Sequence, residues 1–316
     1  MLKFTIKRIL NLIPILLGIA LVSSGLYYII PGDIVLVMLG QHVDPYTYIN
    51  VKRSLGLDLP FWQNFLGFVR GLLDGNIGYS YIQQRPVAEI IAEALPVTFR
   101  LTAMALIITV AIGIPAGILA AVWDRKPMGQ AINAGAVTGI SLPSFLLALF
   151  LQLLFGVTLK WFPISGMSGG LSGYVLPGMA VGLPLAALYT RVARASMLEV
   201  LNEEYILYAL SRGLSFRRVV LKHALPNAVI PLLTQLGMDF GAFMTGAVLT
   251  ETIFNLPGMG RLVYSAINIR DFPVLRGILL LLALIVVAAN LLVDLIYVKL
   301  DPRMASSIVR ETDASM

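Results

Sequence analysis

Glu203-Glu204-Tyr205-Ile206-Leu207-Tyr208-Ala209-Leu210-Ser211-Arg212-Gly213-Leu214-Ser215-Phe216-Arg217-Arg218-Val219-Val220-Leu221-Lys222-His223-Ala224-Leu225-Pro226-Asn227 is a basic, semi-helical stretch that interrupts long apolar segments on either side. A chain that merely spans a bilayer gains nothing from a loop of about thirty residues carrying its own helix, a central glycine and a Leu-Pro-Asn stop. The stretch reads as a docking loop for a partner on the cytoplasmic side.

The flanking chain sets the solvent in which that loop must be understood. Hydrophobic residues make up 58% of the 316, charged residues 13%, and the mean hydropathy is +0.85. Soluble domains run near about 45–50% apolar and about 25% charged, so the chain belongs in a membrane. Cysteine is absent, which removes disulfides and thiolate metal sites, and two histidines, His42 and His223, are too few for a histidine metal cage. The net charge of +6 lies in short loops between apolar spans rather than on one soluble face, which argues for topology and against a nucleic-acid partner.

Runs of about twenty apolar residues recur six times, at roughly 9–30, 97–122, 132–158, 174–194, 228–253 and 276–298. Lys3, Lys7 and Arg8 precede the first run in the manner of a signal peptide. No small-residue cleavage site follows, so it is read as a retained helix. The amino-terminal end, the Asp124-Arg125-Lys126 turn, the 191–227 loop and the carboxy-terminal tail hold about fourteen Lys and Arg, against about eight in the opposite loops. Both termini are therefore expected in the cytoplasm. The resulting organisation is a tail and first helix at 1–30, an extracytoplasmic segment at 31–95, a five-helix core at 96–298 with the docking loop at about 195–227, and a cytoplasmic tail at 299–316. Within the outer segment, Phe61 to Arg70 is amphipathic and suits either the membrane interface or packing over the bundle.

Pro14, Gly113-Ile114-Pro115, Ser141-Leu142-Pro143, Pro177, Pro184 and Pro231 fall inside the spans, where they are expected to bend helices and free backbone carbonyls. No phosphate loop, nucleophile elbow, His-Glu-x-x-His or kinase-like motif occurs, so no catalytic residues are assigned. A charge in hydrocarbon costs at least about 2.5 kcal/mol, which singles out three intramembrane acids. Asp239 is central in the fifth span, Glu251 lies nearer its outer end, and Asp294 nears the inner end of the sixth. Asp239 has two readings: the proton-coupling carboxylate of a secondary carrier, or a structural carboxylate bonded to another helix or facing an aqueous cavity.

The loop resembles the signature loop of binding-protein-dependent ABC-transporter permeases, with Gly213, Leu225 and Pro226 at the family spacing. Leu207 and Tyr208 stand where Glu and Ala are usual, and His223 takes the Ile place. That departure is similar to the dipeptide, oligopeptide and nickel branch, as Tyr205, Ala209, Gly213 and His223-Ala224-Leu225 show. Leu55 to Pro60, Gly75 to Ser80, Arg85-Pro86-Val87, Glu251 to Leu262 and Asn290 to Arg303 resemble further segments of that branch, with Asn76 where Asp is common.

The resemblance implies an all-α integral membrane protein with six transmembrane helices of the type I ABC importer permease kind and an extracytoplasmic segment after the first. It implies half of a pore in a bacterial or archaeal plasma membrane, paired with a homologous permease. Two cytoplasmic ATPases would bind the ATP and Mg, an extracytoplasmic binding protein would deliver di- or oligopeptides, and this chain would be no enzyme and hold no cofactor. Nickel complexes, glutathione and oligosaccharides are the alternative cargoes. The docking residues would be Glu204, Tyr205, Ala209, Arg212, Gly213, Arg217, Arg218, His223, Leu225 and Pro226. Helices from about Glu203 to Arg212 and about Phe216 to His223, turned at Gly213, would make a stiff knob, because glycine accepts positive φ without a clash.

Overall fold

A computed structural model describes the backbone of residues 2–29, 33–40, 43–166, 169–244 and 247–300, and the side chains of these residues apart from 2–12, 26–27 and 292–300. The side chain of Asp294 and the tail from residue 301 lie outside the described residues.

The first helix, α1 (Leu2–Ile29), carries Pro14 without a break. Three short helices follow, α2 (Ile34–Leu39), α3 (Pro45–Ser54) and α4 (Phe61–Leu73). Asp33 caps α2 by accepting from the amides of Val35 and Leu36, and Asp44 caps α3 through Tyr46 and Thr47, with Pro45 in the first turn where its missing N–H is harmless. Burial pushes the Asp33 carboxyl up, yet the Tyr48 hydroxyl and those two amides outweigh it and hold the group below the usual carboxylate range. On α4, Trp62, Leu66 and Leu73 form an exposed apolar stripe, 63%, 52% and 84% accessible. A two-residue hairpin, β1 (Tyr79–Ser80) with β2 (Arg85–Pro86), leads straight into α5 (Val87–Val122).

The second span thus begins ten residues before the expected start. The third is α6 (Pro127–Ser141) followed by α7 (Ser144–Leu151) and a π-helical turn to Thr158, and the two halves meet at 99°. Pro143 lies at the corner, where its ring pushes Leu142 into an extended conformation with ψ 121°. A short 3₁₀ turn precedes α8 (Val175–Leu201), which contains Pro184 unbroken. The loop helices α9 (Glu204–Ser211), α10 (Phe216–Val219) and α11 (Leu225–Ala228) lead into α12 (Ile230–Met244) with a bend of 43°. The expected fifth span is therefore shorter than its apolar run, because α13 (Val248–Ile253) and α14 (Met259–Asn268) are separate helices before the final α15 (Phe272–Leu300).

At the centre, α5 and α8 run parallel with their backbones in contact. Gly113 and Gly117 on α5 and Gly178 and Gly182 on α8 form two small-xxx-small pairs. A methyl group at Gly182 would stand 2.6 Å from the Ala105 carbonyl, and one at Gly117 would stand 2.5 Å from both Thr190 O and Ala193 Cβ. Lipid tails are as apolar as leucine, so van der Waals contact at such short range, rather than expulsion of water, holds the pair. Thr109 Oγ1 donates to Gly182 O at 3.1 Å and Thr190 Oγ1 donates to Gly113 O at 3.3 Å, a reciprocal pair of cross-helix bonds. Gly113-Ile114-Pro115, expected to be a bend, is instead a packing surface inside a continuous helix, and Pro184 likewise breaks nothing. The expectation of a break holds at Pro143.

Buried clusters stack along this axis. Val87, Ile90 and Ile91 meet Met259, Val274 and Ile278 at one end; Leu101, Tyr174, Leu176 and Phe254 fill the middle; Ala121 and Met197 join the loop helices at the other end.

Candidate docking site

The 203–228 loop is a folded unit with an interior. Ile206 and Ala209 from α9 and Val219, Val220, Ala224 and Ala228 from the later turns are all buried, and they pack on Ala121 of α5 and Met197 of α8. Spacings of three and four residues bring these positions to one helix face, which is why the opposite face is left in water. Gly213 ends α9 at φ 81°, a left-handed conformation that a side chain strains, although open space surrounds its Cα. The chain then reverses into α10.

Of the residues expected to dock a partner, Glu204, Tyr205, Arg212, Gly213, Arg217, Arg218 and Pro226 are exposed, His223 and Leu225 are half-buried, and Ala209 is buried in the interior. Asn227 Nδ2 donates to the Tyr205 hydroxyl at 2.8 Å and to the His223 carbonyl at 3.2 Å, which pins the start of α9 against α11. The Arg212 guanidinium lies 5.6 Å from the centroid of the Tyr208 ring. Leu207, Tyr208, Phe216 and Leu221, absent from the expected set, project from the same unit at 58%, 63%, 48% and 50% exposure. Exposed apolar side chains at this density suit an interaction surface. The signal was present in the sequence as the residues left over once the buried register is assigned. Beside the knob, Arg194 of α8 pairs with Asp124 in the turn after α5.

The intramembrane acids have specific partners. Asp239 Oδ2 accepts a hydrogen bond from the Tyr189 hydroxyl at 2.6 Å and Oδ1 accepts from Gln235 Nε2 at 3.1 Å, so a carboxylate on α12 is tied to α8. Glu251 is fully buried: Oε1 accepts from Thr98 Oγ1 at 2.7 Å and Oε2 accepts from the amide of Arg261 at 2.9 Å. Thr98 Oγ1 in turn accepts from the Met259 amide at 2.7 Å. The carboxylate and hydroxyl together satisfy amides at the start of α14, and a methyl group at Gly258 would stand 2.4 Å from Glu251 Oε1. Glu251 thus ties Thr98 of α5 to the start of α14 through these bonds. Asp271, not singled out in the sequence, is a second such residue. It is fully buried at the start of α15, accepts from Ser80 of the hairpin, and faces the Val274 amide at 3.5 Å.

Residues 113–306 match the family described as binding-protein-dependent transport system inner membrane component, and residues 1–102 match that family's amino-terminal membrane component. The chain belongs to this family of ABC-importer permeases. It is 37% identical over 302 residues to the glutathione transport system permease protein GsiC of Escherichia coli (strain K12), covering 96% of this chain and 98% of that one. The GsiC protein of Shigella flexneri serotype 5b (strain 8401) matches equally. An inward-facing MetNI methionine ABC transporter chain superposes with a TM-score of 0.58 over 68% of this chain and 97% of that one, at 18% identity, a likeness of fold.

Family membership makes the chain a multi-pass inner-membrane permease of an ABC importer rather than an enzyme, and one that works with an ATPase and a binding protein. The independent proton-carrier reading of Asp239 falls with it.

Proposed function

We propose that this permease forms half of a pathway for short peptides, glutathione among them, and that α9 to α11 form the knob on which a cytoplasmic ATPase pulls. The observation that carries the reading is the single apolar interior shared by the knob and the ends of α5 and α8, joined to an exposed outer face. A force on Tyr208 or Phe216 is passed to the transmembrane pair without an intervening flexible joint. On this reading Arg212, Arg217 and Arg218 meet acidic residues of the ATPase rim, where guanidinium forks hold carboxylates in two bonds. Two ATPases hold the ATP and Mg, a homologous permease completes the pore, residues 31–95 face the binding protein, and both termini are cytoplasmic. The GsiC relatives support glutathione within the peptide class.

Mild-detergent purification of the tagged chain from its own cells, with mass spectrometry of what accompanies it, tests the assembly. Wild type is expected to bring down ATPases and a sister permease. Gly213→Asp, which forces an acidic side chain into a left-handed turn, is expected to keep the sister permease and lose the ATPases. Equal ATPase recovery from the variant would remove the knob from the coupling role. Radiolabelled glutathione and dipeptide uptake then separates the cargoes.

A further inference from the structure

The helix α4 is amphipathic the wrong way round for a helix in water. Its inward face holds Asn64, which is 6% exposed and donates to the Leu55 carbonyl at 2.5 Å, and Gly71, where a methyl group would stand 3.5 Å from the Asn76 carbonyl. Trp62, Leu66, Val69 and Leu73, spaced by four, three and four residues, form the opposite stripe. Val69 is half-buried and the other three are exposed. A helix on a water-covered surface carries its polar face outward, so this stripe calls for an apolar neighbour.

Two contacts fix where α4 lies. Phe61 meets the Tyr28 ring edge-on at 5.4 Å between centroids, and Tyr28 is the penultimate residue of α1. Seven residues on, about 10 Å along the axis, the Phe68 ring lies 3.0 Å under the guanidinium of Arg276, the fifth residue of α15. Both contacts are made at the ends of long apolar helices, so α4 runs across the end of the bundle opposite the knob rather than along its side. The Tyr28 hydroxyl also donates to the Leu59 carbonyl at 3.1 Å, which fastens the chain entering α4 to the end of α1. On α1 itself Val22 and Ile29 are 68% and 76% exposed, and that helix, of 28 residues and about 42 Å, is long enough to cross the hydrocarbon. Its lipid-facing surface therefore leads through exposed Leu59 onto the α4 stripe. Tyr28, Phe61 and Trp62 gather at this junction, with Phe61 and Trp62 5.0 Å apart, and aromatic rings concentrate at just such span ends. We infer that α4 lies flat in the headgroup–acyl boundary of the leaflet opposite the knob, with Trp62, Leu66 and Leu73 against lipid, and anchors the short helices α2 and α3 at the membrane surface.

Because the chain has no cysteine, a nitroxide label attaches to it only where one is introduced. The test uses the full chain with the partners that co-purify with it, in phosphatidylcholine nanodiscs, labelled at Leu66→Cys or Leu73→Cys, with Tyr46→Cys on α3 as the reference in water. The signal of the labelled wild-type complex is subtracted. Collisions of the label with oxygen, which partitions into lipid, are compared with collisions with chromium oxalate, which stays in water. The ratio of oxygen to oxalate collisions is expected to be several-fold higher at positions 66 and 73 than at position 46. Oxalate collisions as frequent as at position 46 would put the stripe in water. Few collisions with either reagent would put a sister permease or a binding protein over it, and either result would overturn the assignment. Positions 66 and 73 each answer alone, so a variant that fails to assemble leaves the other to decide. The readout involves neither cargo nor the knob, and it stands or falls apart from both.

Discussion

Glu251 illustrates how a single side chain acquires its meaning from geometry that sequence does not carry. Read along the chain, it is an acid at the end of an apolar run. Folded, it occupies a sealed space between Thr98 and the first turn of α14, where it accepts from amide and hydroxyl donors. A buried donor left without an acceptor costs about 1–3 kcal/mol, and at least two would be orphaned by truncation. Glu251→Ala is therefore expected to destabilise the chain by about 2–5 kcal/mol and Glu251→Gln by less, since the amide oxygen still accepts. Thermal melting in one detergent reads the difference, and equal losses would show that volume rather than hydrogen bonding sets the cost. Asp271 was passed over for the same reason that Glu251 was singled out as a pathway or structural acid without a choice between the two. Position relative to a span does not tell whether a carboxylate meets water, cargo or a helix amide.

Secondary structure was legible where a hydrophobic run is long and ends abruptly, as at Trp123, and where glycine must adopt positive φ, as at Gly213. It was obscured wherever one apolar run held two elements. Nothing in the composition of 132–158 distinguishes a straight helix from two halves at 99°, because apolar side chains suit both. Proline did not decide either: Pro143 turns the chain, while Pro115 and Pro184 are absorbed by long helices whose neighbours hold them straight. The signal that was present and unread is the spacing Gly113 to Gly117 matched by Gly178 to Gly182. Each pair marks where a backbone approaches another. Gly182→Leu would drive a side chain into the Ala105 carbonyl, and the expected cost of about 3 kcal/mol or more would show as loss of folded protein on detergent extraction. Gly135→Leu, where a Cβ would meet open space, is the matched control and is expected to extract normally.

For the molecule as a whole, the proposed scheme has a cytoplasmic ATPase supply the energy by contact, which asks of this chain rigidity, a surface and a route. Asp239 fits this economy as a cross-helix tie, through Tyr189, between α8 and α12. Asp239→Asn keeps an acceptor for the Tyr189 hydroxyl, and ATP-driven uptake by the reconstituted complex is expected to stay within about threefold of wild type. Its pH profile from about pH 5.5 to about pH 8 is expected to be unchanged, as follows for a hydrogen-bonded tie rather than a proton relay. Collapse of uptake together with its pH dependence would return a proton to the mechanism.

The glycine-locked contact of α5 with α8 has a mechanical corollary. An α-helix of 36 residues is about 54 Å long, and here it is bolted to a second one through backbone atoms at several levels. Such a pair behaves as a push-rod: it delivers displacement from one face of the membrane to the other with little loss, and it stores almost none. The described scaffold bends instead at the corner before Pro143 and at the 43° joint leading into α12, and a change of shape during a transport cycle is expected to be taken up at such breaks rather than along this rod.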